Sequence, residues 1–244
     1  EFLRENLLNL PEPILLVGNK LPDGDSLGSA LAILDFLRFH SKEAYVHCVL
    51  APAPNISWML SDEDSCDEVL DEYASLVVVD DQVDSQRLGI DIKDVPILCI
   101  DHHHGNFPEH LQKEISLRTI HDPPYIHREG NKTYCWKYAP ATACLLIDAD
   151  IFHPNLFVSL YQDTVGFTVN CVDGFSYAST LLNSCELSND DVEEIIRKLN
   201  PVGSFQALES YFDATITMIR GIHNDESLQI LVVSASPPDH FAYL

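Results

Sequence analysis

The sequence predicts an α/β protein built on a mainly parallel β-sheet with helices on both faces. Short, almost continuously apolar runs alternate with helical patterns, and two of these runs end directly in acidic residues. Near-continuous apolar strands are typical of a parallel sheet that is buried on both sides. With 244 residues, 46% of them hydrophobic, the chain can fill one sizeable core.

The first half of the chain supplies the predicted sheet. Apolar runs bounded by Pro, Gly or Asp predict strands at 13–18, 44–50, 75–80 and 96–101. Apolar residues at three- and four-residue spacing predict a helix over 26–39, with Asp25 or Ser26 as its N-cap. The segment 121–140 is rich in His, Tyr and Pro, and we expect a loop whose aromatic side chains pack on the domain rather than stack on bases.

The second half is predicted to be mainly helical. Candidate helices cover residues 141–151, 154–166, 174–184 and 189–199. The breaker Asn-Pro-Val-Gly at 200–203 predicts a boundary between a catalytic domain at 1–200 and a second lobe at 204–244. This lobe begins with a helical extension and is too short to bury a core of its own, so we expect it to be minimal or truncated.

The charge balance argues against a long nucleic acid as partner. The chain has 38 acidic and 14 basic residues, a net charge of −24. Binding a long duplex requires a basic stripe that neutralises its phosphates. An acidic chain instead attracts divalent cations. A phosphate-containing substrate is therefore expected to be small or short.

The chain is expected to be cytoplasmic. It contains no apolar run long enough to predict a membrane span, and its start resembles no secretory signal. Its seven cysteines are odd in number and lack any C-x-x-C pair. This pattern favours a reducing, intracellular compartment over a disulfide framework or a thiolate zinc site.

Acidic side chains are predicted to meet at one edge of the sheet. Asp80 and Asp101 end two of the strands, and the first strand leads to Asn19, Asp23 and Asp25. In open α/β sheets, ligands bind beyond the carboxyl ends of the strands. We therefore expect these residues to form one site.

This set of side chains is suited to metal-assisted phosphoryl chemistry. The two carboxylates of the Asp-Gly-Asp turn at 23–25 can each bind a separate ion, and the strand-end Asp80 can bridge both. The run Asp101-His102-His103 adds imidazoles, and this mixture suits Mn²⁺ or Mg²⁺. Two such ions about 3.5–4 Å apart can activate a water molecule for an in-line displacement.

These motifs resemble those of the DHH phosphoesterase superfamily. The run Asp101-His102-His103 after a buried strand is the signature that names the superfamily. Its first, second and fourth motifs are similar to segments 21–29, 77–80 and 161–167, and the resemblance spans about residues 13–185. The first motif and the segment 164–187 are most similar to the branch of bacterial oligoribonucleases and cyclic-dinucleotide phosphodiesterases.

The resemblance implies a site for two ions. One would lie on Asp23 and Asp80, and Asn19 stands where the family usually has a histidine ligand. The second would lie on Asp25, Asp80, His102 and Asp163.

The same resemblance implies roles for the neighbouring residues. His103 would contact the scissile phosphate, Asp101 would orient His102, and His104 would not be a ligand.

The function that we expect is hydrolysis of phosphodiester bonds in short oligonucleotides or small nucleotides, with two Mn²⁺ or Mg²⁺ ions. A pyrophosphatase or exopolyphosphatase-like hydrolase is the alternative with similar chemistry. A third possibility is a degenerate scaffold or interaction protein, because Asn19 replaces a ligand and the family's glycine-rich substrate motif is missing.

Overall fold

The structure, a computed structural model, describes residues 1–64, 72–106 and 109–199. The described elements belong to one compact unit, Glu1–Leu199. They form a single sheet covered by helices, and the predicted α/β class is confirmed. The predicted boundary at 200–203 and the second lobe at 204–244 lie outside the described residues and stay predictions.

Six strands form the sheet in the order β2-β1-β3-β4-β6-β5. Their bounds are β1 Ile14–Val17, β2 Ala44–His47, β3 Ser75–Val79, β4 Ile97–Asp101, β5 Tyr125–Glu129 and β6 Lys132–Trp136. The pairs β1–β2, β1–β3, β3–β4 and β4–β6 are parallel. Only the pair of β5 and β6 is antiparallel among the strands that the structure describes.

Eight helices are described. They are α1 Phe2–Leu8, α2 Gly24–Phe39, α3 Ser85–Leu88, α4 Glu109–Ile115, α5 Ala143–Asp148, α6 Asn155–Asp163, α7 Cys171–Ser184 and α8 Asn189–Leu199. None of these described helices is both long and apolar enough to cross a membrane.

Both faces of the sheet are buried because successive strand residues point to opposite sides. In β1, Ile14 and Leu16 pack into one core, whereas Leu15 and Val17 pack into the other. Helices α2, α5, α6, α7 and α8 contribute to the first core, and α3 and α4 to the second. This arrangement explains the near-continuous apolar runs of the sequence.

The segment 121–140 is not a loop, contrary to our expectation. It contains a β-hairpin in which Glu129 pairs with Lys132 around the two-residue turn Gly130-Asn131. Gly130 has a φ of +60°, which a glycine adopts without strain. A Gly-Asn pair is a typical two-residue hairpin turn, and it was the available clue.

Several element boundaries also differ from the prediction, among them the ends of α5 and α6 and the start of α7. Strand β2 ends at His47 rather than at residue 50. Helix α2 begins at Gly24 with Asp23 as its N-cap, so neither Asp25 nor Ser26 has that role. The cap lies earlier because Asp23 and Ser26 satisfy each other's backbone N–H groups in a capping box.

Candidate metal centre

The carboxyl ends of the parallel strands converge on a buried acidic cluster. The turn after β1 leads into α2, which carries Asp25 in its first turn. Asp80 follows β3, and β4 ends at Asp101, directly before His102. Helix α6 ends at Asp163, which completes the cluster.

Asp25 is fully buried and held by several donors. Its carboxylate accepts hydrogen bonds from the backbone N–H groups of Thr142 at 2.6 Å and Ala143 at 3.2 Å. The Ser29 hydroxyl donates a further bond at 3.1 Å. Burial, followed by the negative charges of Asp80 and Asp163, raises the pKa of Asp25 well above its ordinary value. An ionised Asp25 therefore favours a nearby cation.

Asp80 lies at the centre of the cluster with a φ of +61°. One of its oxygens accepts a hydrogen bond from the Thr142 hydroxyl at 2.8 Å. The same oxygen lies 3.4 Å from Nε2 of His102 and 3.3 Å from Nδ1 of His103. Burial alone would raise the pKa of Asp80, but the two imidazoles outweigh it and lower the pKa to about 2. Asp80 is thus an anion at any ordinary pH.

His102 directs a ring nitrogen at three carboxylates. Its Nδ1 lies 3.0 Å from the carbonyl oxygen of Ala139 and donates to it. Its Nε2 lies 3.1 Å from Asp163, 3.4 Å from Asp80 and 3.7 Å from Asp25. Burial opposes protonation of this ring, but the surrounding carboxylates outweigh it and raise the pKa of His102 well above its ordinary value.

Asp101 orients His103 rather than the ring of His102. Its buried carboxylate accepts hydrogen bonds from Nδ1 of His103 at 3.0 Å and from the backbone N–H of both histidines. The Ala139 carbonyl holds the ring of His102 instead. This differs from the role implied by the resemblance, because the turn after β4 points the two rings to different acceptors. The bonds to Asp101 and then to Asp80 raise the pKa of His103 to about 10.

The remaining predicted ligands lie less centrally. Asp23 uses one oxygen to cap α2 through Ser26, and burial together with the charge of Asp80 raises its pKa. The side-chain oxygen of Asn19 accepts a bond from the Leu21 N–H at 3.2 Å. The rings of His104 and Trp136 form a T-shaped contact with their centroids 5.3 Å apart.

The residues present fit a divalent cation. Two groups have ligand atoms within 4.8 Å of one another: Asp80–His102–His103 and Asp25–His102–Asp163. When Nδ1 of a neutral His102 ring donates to the Ala139 carbonyl, Nε2 carries no proton. Its lone pair then points at the negatively charged carboxylate oxygens around it. Nε2 is buried and lacks a well-formed hydrogen bond in the described part of the protein. A cation between these atoms would remove the repulsion.

Two features of the site were missed by the sequence reasoning. Thr142 binds both Asp25 and Asp80, and it precedes α5. A threonine just before a helical run is a common start signal, and that clue was available. The Ala139 carbonyl gave no sequence signal, because any residue carries one.

Close packing of α6 against the start of α2 positions Asp163. A Cβ atom added at Gly28 would lie 2.6 Å from the backbone oxygen of Asn155. The Ser159 hydroxyl donates to the Gly24 carbonyl at 3.1 Å. The glycines of the first motif therefore allow the helix that carries Asp163 to approach Asp25.

Comparison with known proteins identifies a family and a similar fold. Residues 13–143 match the family described as DHH family, N-terminal domain. The fold is similar to that of an exopolyphosphatase-related protein from Bacteroides fragilis, with a TM-score of 0.59 and 19% sequence identity. The alignment covers 87% of this chain but only 63% of that one, so the chain spans less than two thirds of that protein. No curated protein matches the sequence.

Proposed function

The chain belongs to the DHH family, which it matches over more than half of its length, and we propose that it is a metal-dependent phosphoesterase. The observation that carries the proposal is the placement of Nε2 of His102 within 3.7 Å of Asp25, Asp80 and Asp163. Buried carboxylates around one imidazole are costly without a cation. In open α/β sheets, ligands bind beyond the carboxyl ends of the strands, where this cluster lies, and this supports the proposal.

We assign the ligands of two ions to the cluster. Asp25, Asp80, His102 and Asp163 would hold one ion. Asp23 and Asp80 would hold the other, with Asn19 supplying an amide oxygen. The oxygen-rich set favours Mn²⁺ or Mg²⁺. When bound, the ions supply Lewis-acid activation of a water molecule and neutralise charge on the phosphoryl group.

His103 is suited to contact the scissile phosphate. Its side chain is 50% exposed, whereas that of Asp101 beneath it is fully buried. In the metal-free protein the pKa of about 10 keeps the ring protonated at neutral pH, so it presents a positive charge at the mouth of the site. Asp101 fixes the orientation of that ring through Nδ1, which leaves the other ring nitrogen available to an anionic oxygen.

Thr142 positions two of the ligands. Its backbone N–H donates to Asp25 and its hydroxyl donates to Asp80. These bonds fix the two carboxylates relative to each other before any substrate arrives, which lowers the cost of reaching the reactive geometry.

Short oligonucleotides or small nucleotides are the substrate class that we propose. The net charge of −24 disfavours a long polyanion, because an extended phosphate backbone would meet repulsion beyond the site. A short substrate places its phosphate on the metal centre while little of its charge faces the acidic surface. We place this activity in the cytoplasm, as the sequence pattern indicates.

The test is Mn²⁺-stimulated release of mononucleotides from short RNA by the full chain. We expect release with the natural sequence and none above background with Asp80→Ala. The matched control Asp62→Ala, at an exposed position, should retain full activity. If short RNA, cyclic dinucleotides and 3′-phosphoadenosine 5′-phosphate all stay intact while Mn²⁺ binds, the substrate assignment is wrong.

Hydrolysis of pyrophosphate or short polyphosphate is the second candidate. It is favoured by the similarity of the fold to a protein described as exopolyphosphatase-related. Release of inorganic phosphate from pyrophosphate, with short RNA left intact, would support this candidate over the first. A calorimetric titration without any Mn²⁺ binding at millimolar concentration would instead support a scaffold role.

A further inference from the structure

A second cluster of metal-ligating side chains lies at the edge of the sheet. It consists of His110 on α4 and of His127 and Glu129 on β5. One ligand atom from each lies within 4.8 Å of the others. The cluster shares no residue with the acidic cluster that contains Asp80.

The backbone explains why these three side chains meet. His127 and Glu129 are two residues apart in β5, so they point to the same face of the sheet. That face is the one covered by α4, because Leu111 and Ile115 of α4 pack into the same core as Tyr134, the hairpin partner of His127. Helix α4 thereby brings His110 over the two strand residues.

The contacts of the two histidines suit a shared ion. The rings of His110 and His127 lie with their centroids 5.9 Å apart at an angle of 70°. His110 and Glu129 are exposed and His127 is half-buried, so an ion can reach all three side chains from solvent. Tetrahedral zinc with bonds of about 2.0–2.1 Å places its ligand atoms roughly 3.3 Å apart. The three ligand atoms already lie within 4.8 Å of one another, so small side-chain rotations bring them to this spacing.

We propose that His110, His127 and Glu129 form a binding site for Zn²⁺. Two imidazoles and one carboxylate form a donor set that zinc prefers over Mg²⁺, unlike the oxygen-rich catalytic cluster. Water would fill the fourth position. The ion would fasten α4 to β5, an edge strand of the sheet. The proposal does not depend on the proposed phosphoesterase activity.

The consequence would be local order around the DHH signature. Helix α4 begins six residues after His103, so its attachment to β5 limits the movement of the chain that follows the signature. A strand edge with a metal-bound helix beside it is also less open to pairing with another chain.

The test measures how many zinc ions each full chain binds. Zinc is added to the metal-free protein in millimolar Mg²⁺, in competition with a chromogenic zinc chelator. We expect His127→Ala and His110→Ala to bind one zinc equivalent per chain fewer than the natural sequence. The matched control His121→Ala, an exposed histidine outside the cluster, should keep that equivalent. All four proteins keep the acidic cluster, so any zinc bound there does not change the difference in stoichiometry between them. Equal stoichiometry in all four overturns the proposal.

A second measurement uses only the natural sequence, so it does not depend on the folding of a variant. Diethyl pyrocarbonate modifies accessible imidazoles, and mass spectrometry locates each modification. We expect zinc to lower the modification of His110 and His127 at least several-fold while His121 is modified as before. If His110 and His127 react equally with and without zinc, no ion is held there and the proposal fails.

Discussion

At the scale of single residues, the contacts of the two ring nitrogens of His102 indicate what the site can hold. Its Nδ1 is occupied by the Ala139 carbonyl, so Nε2 must share either a proton or a cation with the acids around it. A proton would occupy this position in the metal-free protein, and in the proposed function a divalent ion would replace it. The raised pKa of His102 reflects the same crowding that would draw a metal ion in.

His103 gives a pH-dependent prediction for the chelator-treated protein. Hydrogen bonding to Asp101 and then to Asp80 raises its pKa from 6.5 to about 10. The folded state therefore binds this proton more tightly than the unfolded chain does. Its contribution to the free energy of unfolding is complete below pH 6.5 and is lost as pH rises through about 10. Because the ring is half exposed, we expect a loss of only about 1 kcal/mol.

Urea denaturation at pH 6.5 and pH 10 measures this loss. The comparison is between the natural sequence and His103→Gln, which keeps a polar side chain without the titrating proton. The natural sequence should lose more stability than the variant over this interval. Equal losses in the two proteins would show that His103 is not held by Asp101 and Asp80 as described.

The sequence predicts which acids and imidazoles lie together better than it predicts the groups that hold them. Asp25, Asp80, His102 and Asp163 could be selected because acids and imidazoles at strand and helix ends have few structural uses. The structure brings these four together, whereas the ligand roles of Asn19 and Asp23 stay predictions. The hydrogen-bond acceptor of the His102 ring could not be predicted. It is a backbone carbonyl, and every residue has one.

At the scale of elements, the contact between α2 and α6 determines the distance between Asp25 and Asp163. Gly24 and Gly28 lie one turn apart on α2 and face α6. Their lack of side chains leaves room for atoms of α6 that an added Cβ would meet at less than 3.0 Å. The two glycines of the first motif thus help to position Asp163 beside Asp25 in the candidate metal centre.

Gly28→Ala is expected to lower both activity and stability. The added Cβ would lie 2.6 Å from the backbone oxygen of Asn155, which cannot move without shifting α6. Overpacking of this kind costs about 1–3 kcal/mol, and a displacement of Asp163 by about 1 Å can reduce the rate about 10²-fold. Thermal denaturation and steady-state kinetics measure the two effects.

The matched control for this prediction is Gly105→Ala. A Cβ at Gly105 would have no heavy atom within 4 Å, so stability and rate should stay close to those of the natural sequence. Should Gly28→Ala behave like Gly105→Ala, the close approach of the two helices would not matter for the site.

Element prediction was accurate where periodicity was strong and failed where a clue was short. Helix α8 was predicted with the bounds that it has, Asn189–Leu199, because its apolar and charged residues alternate at helical spacing. The sequence predicts a loop where the hairpin of β5 and β6 lies, because the exposed strand β5 has little apolar character. Pairing across the sheet stabilises that strand, and such pairing is a property of the tertiary structure.

At the scale of the whole molecule, acidity and fold act together. The parallel strands collect carboxylates at one edge, and the net charge of −24 surrounds them with a negative field. Such a field raises the local concentration of divalent cations and opposes long polyanions. In the proposed function, metal loading and a preference for small phosphate compounds would thus both follow from one charge distribution.

In the proposed function, residues from distant parts of the chain form one centre for divalent ions. Crystals of the full chain soaked in Mn²⁺ and measured near the manganese absorption edge test it directly. We predict an anomalous peak within coordination distance of Asp25, Asp80, His102 and Asp163, and a second beside Asp23 and Asp80. A map at millimolar Mn²⁺ without any anomalous peak at these side chains would contradict the account.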